Sequence, residues 1–349
     1  MKLCAKDLIR SAAAKDASDV HIVCGLPVRC RIRGEIQNLT DERLTAEDCE
    51  AYARELAGKK YESIAQIGEL DLALSIGSEL RTRINLFRQQ GAVSAAVRIL
   101  HNHIRTPQEL QLPPVIDSFS RLHSGIVLVT GETGSGKSTT LAALINEINK
   151  NRCAHIITLE DPIEYVYKPD KSIVNQRQVG TDTRSYADGL RMILREDPDI
   201  ILIGEMRDRD TIETALTAAE TGHLVFSTLH TNSAADTVDR IVSVFPAQQQ
   251  PQIRMQLSLT LRAVVSQKLL PRYLQAGRIA ACEIMVVNSA IANLIREGKT
   301  MQIDSYIGLG TKDGSIGMDA ALKDMVRDGF ISRDTALAFA RDPERFSKV

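Results

Sequence analysis

A chain of 349 residues, 44% apolar and 25% charged, is long enough for two ordinary globular domains. A net charge of −1 excludes a global electrostatic bias toward nucleic acid or an anionic membrane, and with no Trp and 4% aromatics a stacking platform for single strands is poorly supplied. No apolar run reaches membrane-span length, the charged start from Met1 to Asp7 lacks a signal-peptide core, and the six scattered cysteines form no C-x-x-C pair, so the chain reads as a cytoplasmic protein without structural zinc.

Residues 1–100 read as one α+β unit. Lys6 to Ala17 carries a short helical pattern, and Val28 to Ile36 alternates between apolar and charged residues, as a half-buried strand or hairpin does. Leu80, Thr82, Ile84 and Leu86 alternate with Arg81, Arg83 and Asn85. After a turn at Gln89-Gln90-Gly91, Val93, Ala95, Val97 and Ile99 form a second apolar face with Arg98 opposite. The pattern predicts a hairpin with Arg81, Arg83 and Arg98 on its polar face. Such a face is either solvated surface or a set of arginine fingers reaching a γ-phosphate across a domain or subunit boundary.

Residues 101–114 hold Pro107, Pro113 and Pro114, break both periodicities and read as a linker. From about 115 onward apolar strands alternate with helical stretches. This predicts an α/β fold with a mostly parallel, doubly wound sheet whose strands include 125–130, 155–159, 199–203 and 224–229. Residues from about 233 to 349 read as a helical C-terminal region, with a flexible glycine-rich loop at 308–318 before a helix starting near Asp319.

The chemistry concentrates at Gly131-Glu132-Thr133-Gly134-Ser135-Gly136-Lys137-Ser138, followed by Thr139. This is the Gly-x-x-x-x-Gly-Lys-[Ser/Thr] pattern, preceded by the apolar run Ile126 to Val129 and followed by Leu141, Leu144, Ile145 and Ile148 at helical spacing. In the order strand, loop, helix, backbone N–H groups and a helix N-terminus cradle phosphate. Lys137 then reaches the β- and γ-phosphates and Ser138 ligates Mg²⁺. The strand Ile200 to Ile203 runs into Glu205, the position of an acid at the Mg²⁺ site. Ile156 to Leu159 runs into Glu160, Asp161 and Glu164. Of these, Glu164 or Glu160 has the chemistry to orient an attacking water. His230 ends the strand at 224–229 and faces the same crevice, whereas His223 at its other end ties down the preceding helix.

Taken together, these segments resemble the type IV pilus retraction ATPases of the secretion-ATPase superfamily, over essentially the whole chain. The loop at 131–138 is similar to their Walker A, 157–165 to their Asp box, 200–208 to their Walker B and 221–232 to their His box. Ser18-Asp19-Val20-His21 resembles their N-terminal motif. Ala290 to Glu297 resembles the signature of retraction ATPases, with Ala292 standing where the family has Arg. The resemblance implies a PAS-like α+β N-terminal domain and a RecA-like P-loop NTPase domain, assembled as a homohexamer with ATP at the subunit interfaces. It assigns catalysis to Glu164, the Mg²⁺ site to Glu205, a nucleotide-facing position to His230 and γ-phosphate contacts to Arg83 and Arg98. The implied function is an ATP- and Mg²⁺-dependent motor for pilus retraction and twitching motility, peripheral at the inner face of the membrane. Its partners would be a membrane platform protein and related pilus ATPases, not nucleic acid. The alternatives are a type II/IV secretion traffic ATPase and a DNA-translocating RecA-type motor.

Overall fold

Strict alternation before residue 101 and continuous apolar runs after 115 become two separate sheets. The computed structural model describes residues 3–347 except 33, 78–79, 102–103 and 310, so Arg33 of the alternating segment, two linker residues and Gly310 lie outside the described residues. The chain divides into two units, Met1–His103 with Pro162–Val166, and Ile104–Asp161 with Tyr167–Val349.

The first unit holds α1 (Ala5–Ala14), β1 (Ala17–Ile22), β2 (Arg29–Ile32), β3 (Glu35–Asn38), α2 (Ala46–Ala57), α3 (Glu62–Ile67), β4 (Glu69–Ile76), β5 (Leu80–Gln89) and β6 (Ala92–His101). Its antiparallel sheet runs β3-β2-β1-β6-β5-β4. This is the PAS-like α+β domain. The apolar face of the β5–β6 hairpin, with Ile84, Leu86, Val97 and Ile99, is buried with Leu8, Ile9 and Leu56 of the helices. Gln89 pairs with Ala92, so the hairpin loop is Gln90-Gly91 alone. Both residues have positive φ, 47° and 79°, as a type I′ turn requires. The first helix is shorter than its periodicity suggests. It stops at Ala14, Asp16 adopts φ 59°, and Ala17 already opens β1.

The second unit contains α4 (Pro114–Ser118), β7 (Gly125–Thr130), α5 (Lys137–Asn151), β8 (His155–Glu160), β9 (Ile173–Gln178), α6 (Tyr186–Ile193), β10 (Ile200–Ile203), α7 (Arg209–Glu220), β11 (Leu224–Leu229), α8 (Ala234–Ser243) and α9 (Gln250–Thr260). It continues with β12 (Leu261–Pro271), β13 (Arg278–Val286), α10 (Ser289–Glu297), α11 (Ile303–Leu309), α12 (Met318–Arg327), α13 (Arg333–Phe339) and α14 (Pro343–Ser347). The sheet order is β13-β12-β7-β11-β10-β8-β9, with β13 antiparallel and the rest parallel. The central strands β7, β10 and β11 are buried at every residue, which explains their unbroken apolar sequence.

The region from 233 onward is not purely helical, since it supplies β12 and β13. β12 follows α9 with no Gly or Pro between them, and its apolar run is broken by Ser266-Gln267-Lys268. β9 carries no apolar run either, because Asn175-Gln176-Arg177-Gln178 is polar, with Asn175 exposed and the other three half-buried. The glycine-rich segment is not free either. Ile316 exchanges two 2.8 Å backbone hydrogen bonds with Ile284, and Ser315 Oγ accepts from Val286 N–H at 3.0 Å.

Candidate active site

In a parallel sheet the loops following each strand emerge at one edge. Here Ile203 is level with Leu159 and Ser227, and Leu229 with Thr130. The loops after β7, β8, β10 and β11 therefore leave together, carrying Gly131, Glu160, Glu205 and His230.

The loop after β7 is bent by glycine. Gly131, Gly134 and Gly136 have φ of 136°, 82° and 92°. Gly131 has a second requirement, because a Cβ there would lie 2.3 Å from the Gln267 carbonyl oxygen. Gly136 leads directly into α5, whose first turn carries Lys137, Ser138 and Thr139. Lys137 is buried, and its ammonium donates to the carbonyls of Gly131 at 2.8 Å and Glu132 at 2.9 Å. The cation thus curls back over its own loop.

Glu205 is bonded on one side and flanked on the other: Arg207 Nε lies 2.8 Å from its Oε1, and His230 Nε2 lies 3.6 Å from its Oε2. The backbone behind it is fixed, since Gly204 N–H donates to Leu159 O and Met206 N–H to Thr228 O, while Thr228 Oγ1 donates to Gly204 O. Glu160 accepts from Thr158 Oγ1 at 2.7 Å and Gln176 Nε2 at 3.2 Å, which makes it a tethered carboxylate. The exposed Ser138 hydroxyl and the Glu205 carboxylate are hard oxygen donors, the chemistry that fits Mg²⁺. His223 lies at the far end of β11, where Nδ1 bonds Ala218 O and Thr221 Oγ1 and secures the end of α7.

Tyr186 was not legible from sequence. Its hydroxyl lies 2.9 Å from where a Cβ on Gly204 would stand. Burial, and then the carboxylates of Glu205, Asp161 and Glu160, push its pKa well above the usual phenol range. The group therefore remains a neutral donor. The available signal was Gly204 itself, a glycine immediately before the strand-tip acid.

The remaining site candidates belong to the other unit. Glu164 is half-buried in Pro162–Val166. Arg83 and Arg98 are exposed and face each other across β5 and β6, and Arg98 Nε pairs with Asp19 at 3.1 Å.

Residues 1–278 match the family described as Type II/IV secretion system protein. The chain belongs to this family. The type IV pilus retraction ATPase PilT of Pseudomonas aeruginosa is 44% identical to this secretion-family ATPase, over 97% of this chain and 99% of the relative. A twitching motility protein of Neisseria gonorrhoeae is 42% identical over 97% of this chain and 91% of its own length. A crystal structure of the pilus retraction motor PilT with bound ADP superposes with a TM-score of 0.94 at 45% identity, covering all of both chains. The α/β architecture is that of the retraction motor, and the chain is an ATPase. Among the described residues no helix is long and apolar enough to cross a membrane.

Proposed function

We propose that this ATPase is a ring-forming motor that powers pilus retraction. The observation that carries the reading is 44% identity to a retraction ATPase with both chains matched almost end to end. Phosphoryl transfer to water needs little covalent help and much positioning and charge stabilisation. Lys137 and the loop N–H groups hold the phosphates, Ser138 and Glu205 would hold Mg²⁺, which would supply neutralisation of phosphate charge, and Glu164 orients the attacking water. His230 lies beside Glu205 and faces the nucleotide.

Arg83 and Arg98 complete this site from an N-terminal domain, within a ring of six copies. Loss of the γ-phosphate releases them, and the two domains rotate about residues 101–114, a hinge-type transition. The stroke passes to a membrane platform protein, which places the ring at the inner face of the membrane. The segment resembling the retraction signature forms α10: Asn288 caps it by accepting from Ile291 N–H, Ile291, Leu294 and Ile295 are buried, and on its polar side Asn293 bonds both Arg296 and Glu297. The test is deletion of the gene. Pili should accumulate and surface motility should stop; loss of secretion with normal motility would instead identify a secretion ATPase.

A further inference from the structure

Beneath the phosphate loop lies a buried amide with no protein partner. Gln267 sits on β12, one residue beyond the Ser266–Thr130 pair that joins β12 to β7. It is 2% exposed, yet neither Oε1 nor Nε2 makes a hydrogen bond among the described residues. Its position is defined at both ends of the loop. Its backbone carbonyl occupies the space a Cβ on Gly131 would need, and its Nε2 lies 3.9 Å from the Cβ position of Gly136. The Ser135 hydroxyl is also buried without a hydrogen-bond partner among the described residues, 2.7 Å from the Cβ position of Gly131.

Buried amides are normally satisfied, because losing water without gaining a partner is costly. An unpaired amide beneath a ligand-binding loop is a local inconsistency of the kind found at functional sites. The neighbouring contact shows what it is poised for. Lys137 now donates to the carbonyls of Gly131 and Glu132. To reach a phosphate the ammonium must turn away from the loop, and a released carbonyl then needs another donor. A glutamine amide offers both a donor and an acceptor.

We propose that Gln267 is a positioning residue for the nucleotide-loaded loop. Its Nε2 donates to a loop carbonyl released by Lys137, and its Oε1 accepts from the Ser135 hydroxyl or a loop N–H. A loaded loop thereby supplies the partners the amide lacks, so Gln267 contributes to nucleotide affinity rather than to folding. The proposal rests on the loop's being the nucleotide site.

The experiment compares the full-length wild type with Gln267→Met, which keeps the volume and removes the amide. Thermal midpoints are recorded with and without saturating Mg²⁺–ADP, and the ADP dissociation constant is measured. The variant's nucleotide-free midpoint should equal or exceed that of the wild type. Its ADP-induced shift should shrink, its dissociation constant should rise about tenfold, and KM for ATP should rise more than kcat falls. Ser135→Ala should weaken ADP binding in the same direction, and the double variant should fall short of the sum. A lowered nucleotide-free midpoint with an undiminished ADP shift would make Gln267 an ordinary packing residue and overturn the proposal. If Gln267→Met does not fold, Gln267→Leu is read by the same criteria, and failure of both to fold also overturns it. If the wild type itself shows no ADP shift, the nucleotide site and this role fall together.

Discussion

Arg83 and Arg98 stand directly opposite each other across the β5–β6 ladder. Like charges directly opposite each other destabilise a sheet. Asp19 offsets one of them, being level with Arg98 on the next strand and bonded to it. Among the described residues no carboxylate pairs with Arg83. A charge kept where it costs folding energy is expected to act on a ligand. Arg83→Ala should therefore leave the thermal midpoint unchanged or slightly raised while cutting ATP turnover at least tenfold. Turnover equal to wild type would remove the arginine from the mechanism.

Glu164 occupies Pro162–Val166, which groups with the first unit, whereas Glu160 two residues before that segment is tied to β9 by Gln176. A tethered carboxylate is poorly suited to move with an attacking water. Glu164→Gln should abolish phosphate release yet retain ATP binding within a few-fold, because the amide keeps the size and loses the basicity. Glu160→Gln should reduce turnover less. The reverse ranking in a phosphate-release assay would exchange the two roles.

The loop's glycines separate shape from space. Gly131 and Gly134 both have positive φ, but a Cβ on Gly134 meets nothing within 4 Å, while one on Gly131 strikes the Gln267 backbone. Gly134→Ala carries only backbone strain, about 1 kcal/mol. Gly131→Ala adds displacement of the loop from β12. Nucleotide titrations should show a modest loss for Gly134→Ala and loss of binding for Gly131→Ala, and equal effects would refute the argument from space.

The parts legible in sequence share a physical cause. β7, β10 and β11 are buried at every position, so each reads as an apolar run, and the loop's glycines and Lys137 have no common substitute at that spacing. What escaped was built from residues whose role is set by tertiary neighbours. Gln267 interrupts an apolar run because it lies under the loop, and that interruption hid the strand carrying it. Tyr186 sits at the start of an ordinary amphipathic helix, and only the fold brings its hydroxyl to Gly204. Arg207 lay within the recognised strand-tip motif, but nothing in the pattern showed it pairing with Glu205.

Glu283 gives a pH-dependent signature. Its carboxylate is 1% exposed, pairs with Arg341 at 2.8 Å and accepts the Ala234 N–H at 2.9 Å. Burial dominates these partners and raises its pKa above the ordinary 4.5. For a raised pKa the folded state binds the proton more tightly, so this group's stabilisation is complete below about 4.5 and is lost as pH rises through the folded value. Glu283→Gln cannot titrate. The wild-type thermal midpoint should fall relative to the variant's as pH rises from 4.5 through the raised pKa, and a constant difference would show that the pKa is not shifted.

Ala292 is the one departure within the retraction signature and is half-buried on α10, between the buried Ile291 and the polar Asn293. Arg is nearly as good a helix former as Ala, and its long stem can carry the charge to water. Ala292→Arg should thus change stability by no more than about 0.5 kcal/mol. The helix that carries it packs mainly against α9 and α11, so ATP turnover by the purified protein should be unchanged. Any effect should appear as altered surface motility at equal protein level. A fall in turnover in the purified variant would mean that this helix acts on hydrolysis itself rather than on its coupling to movement.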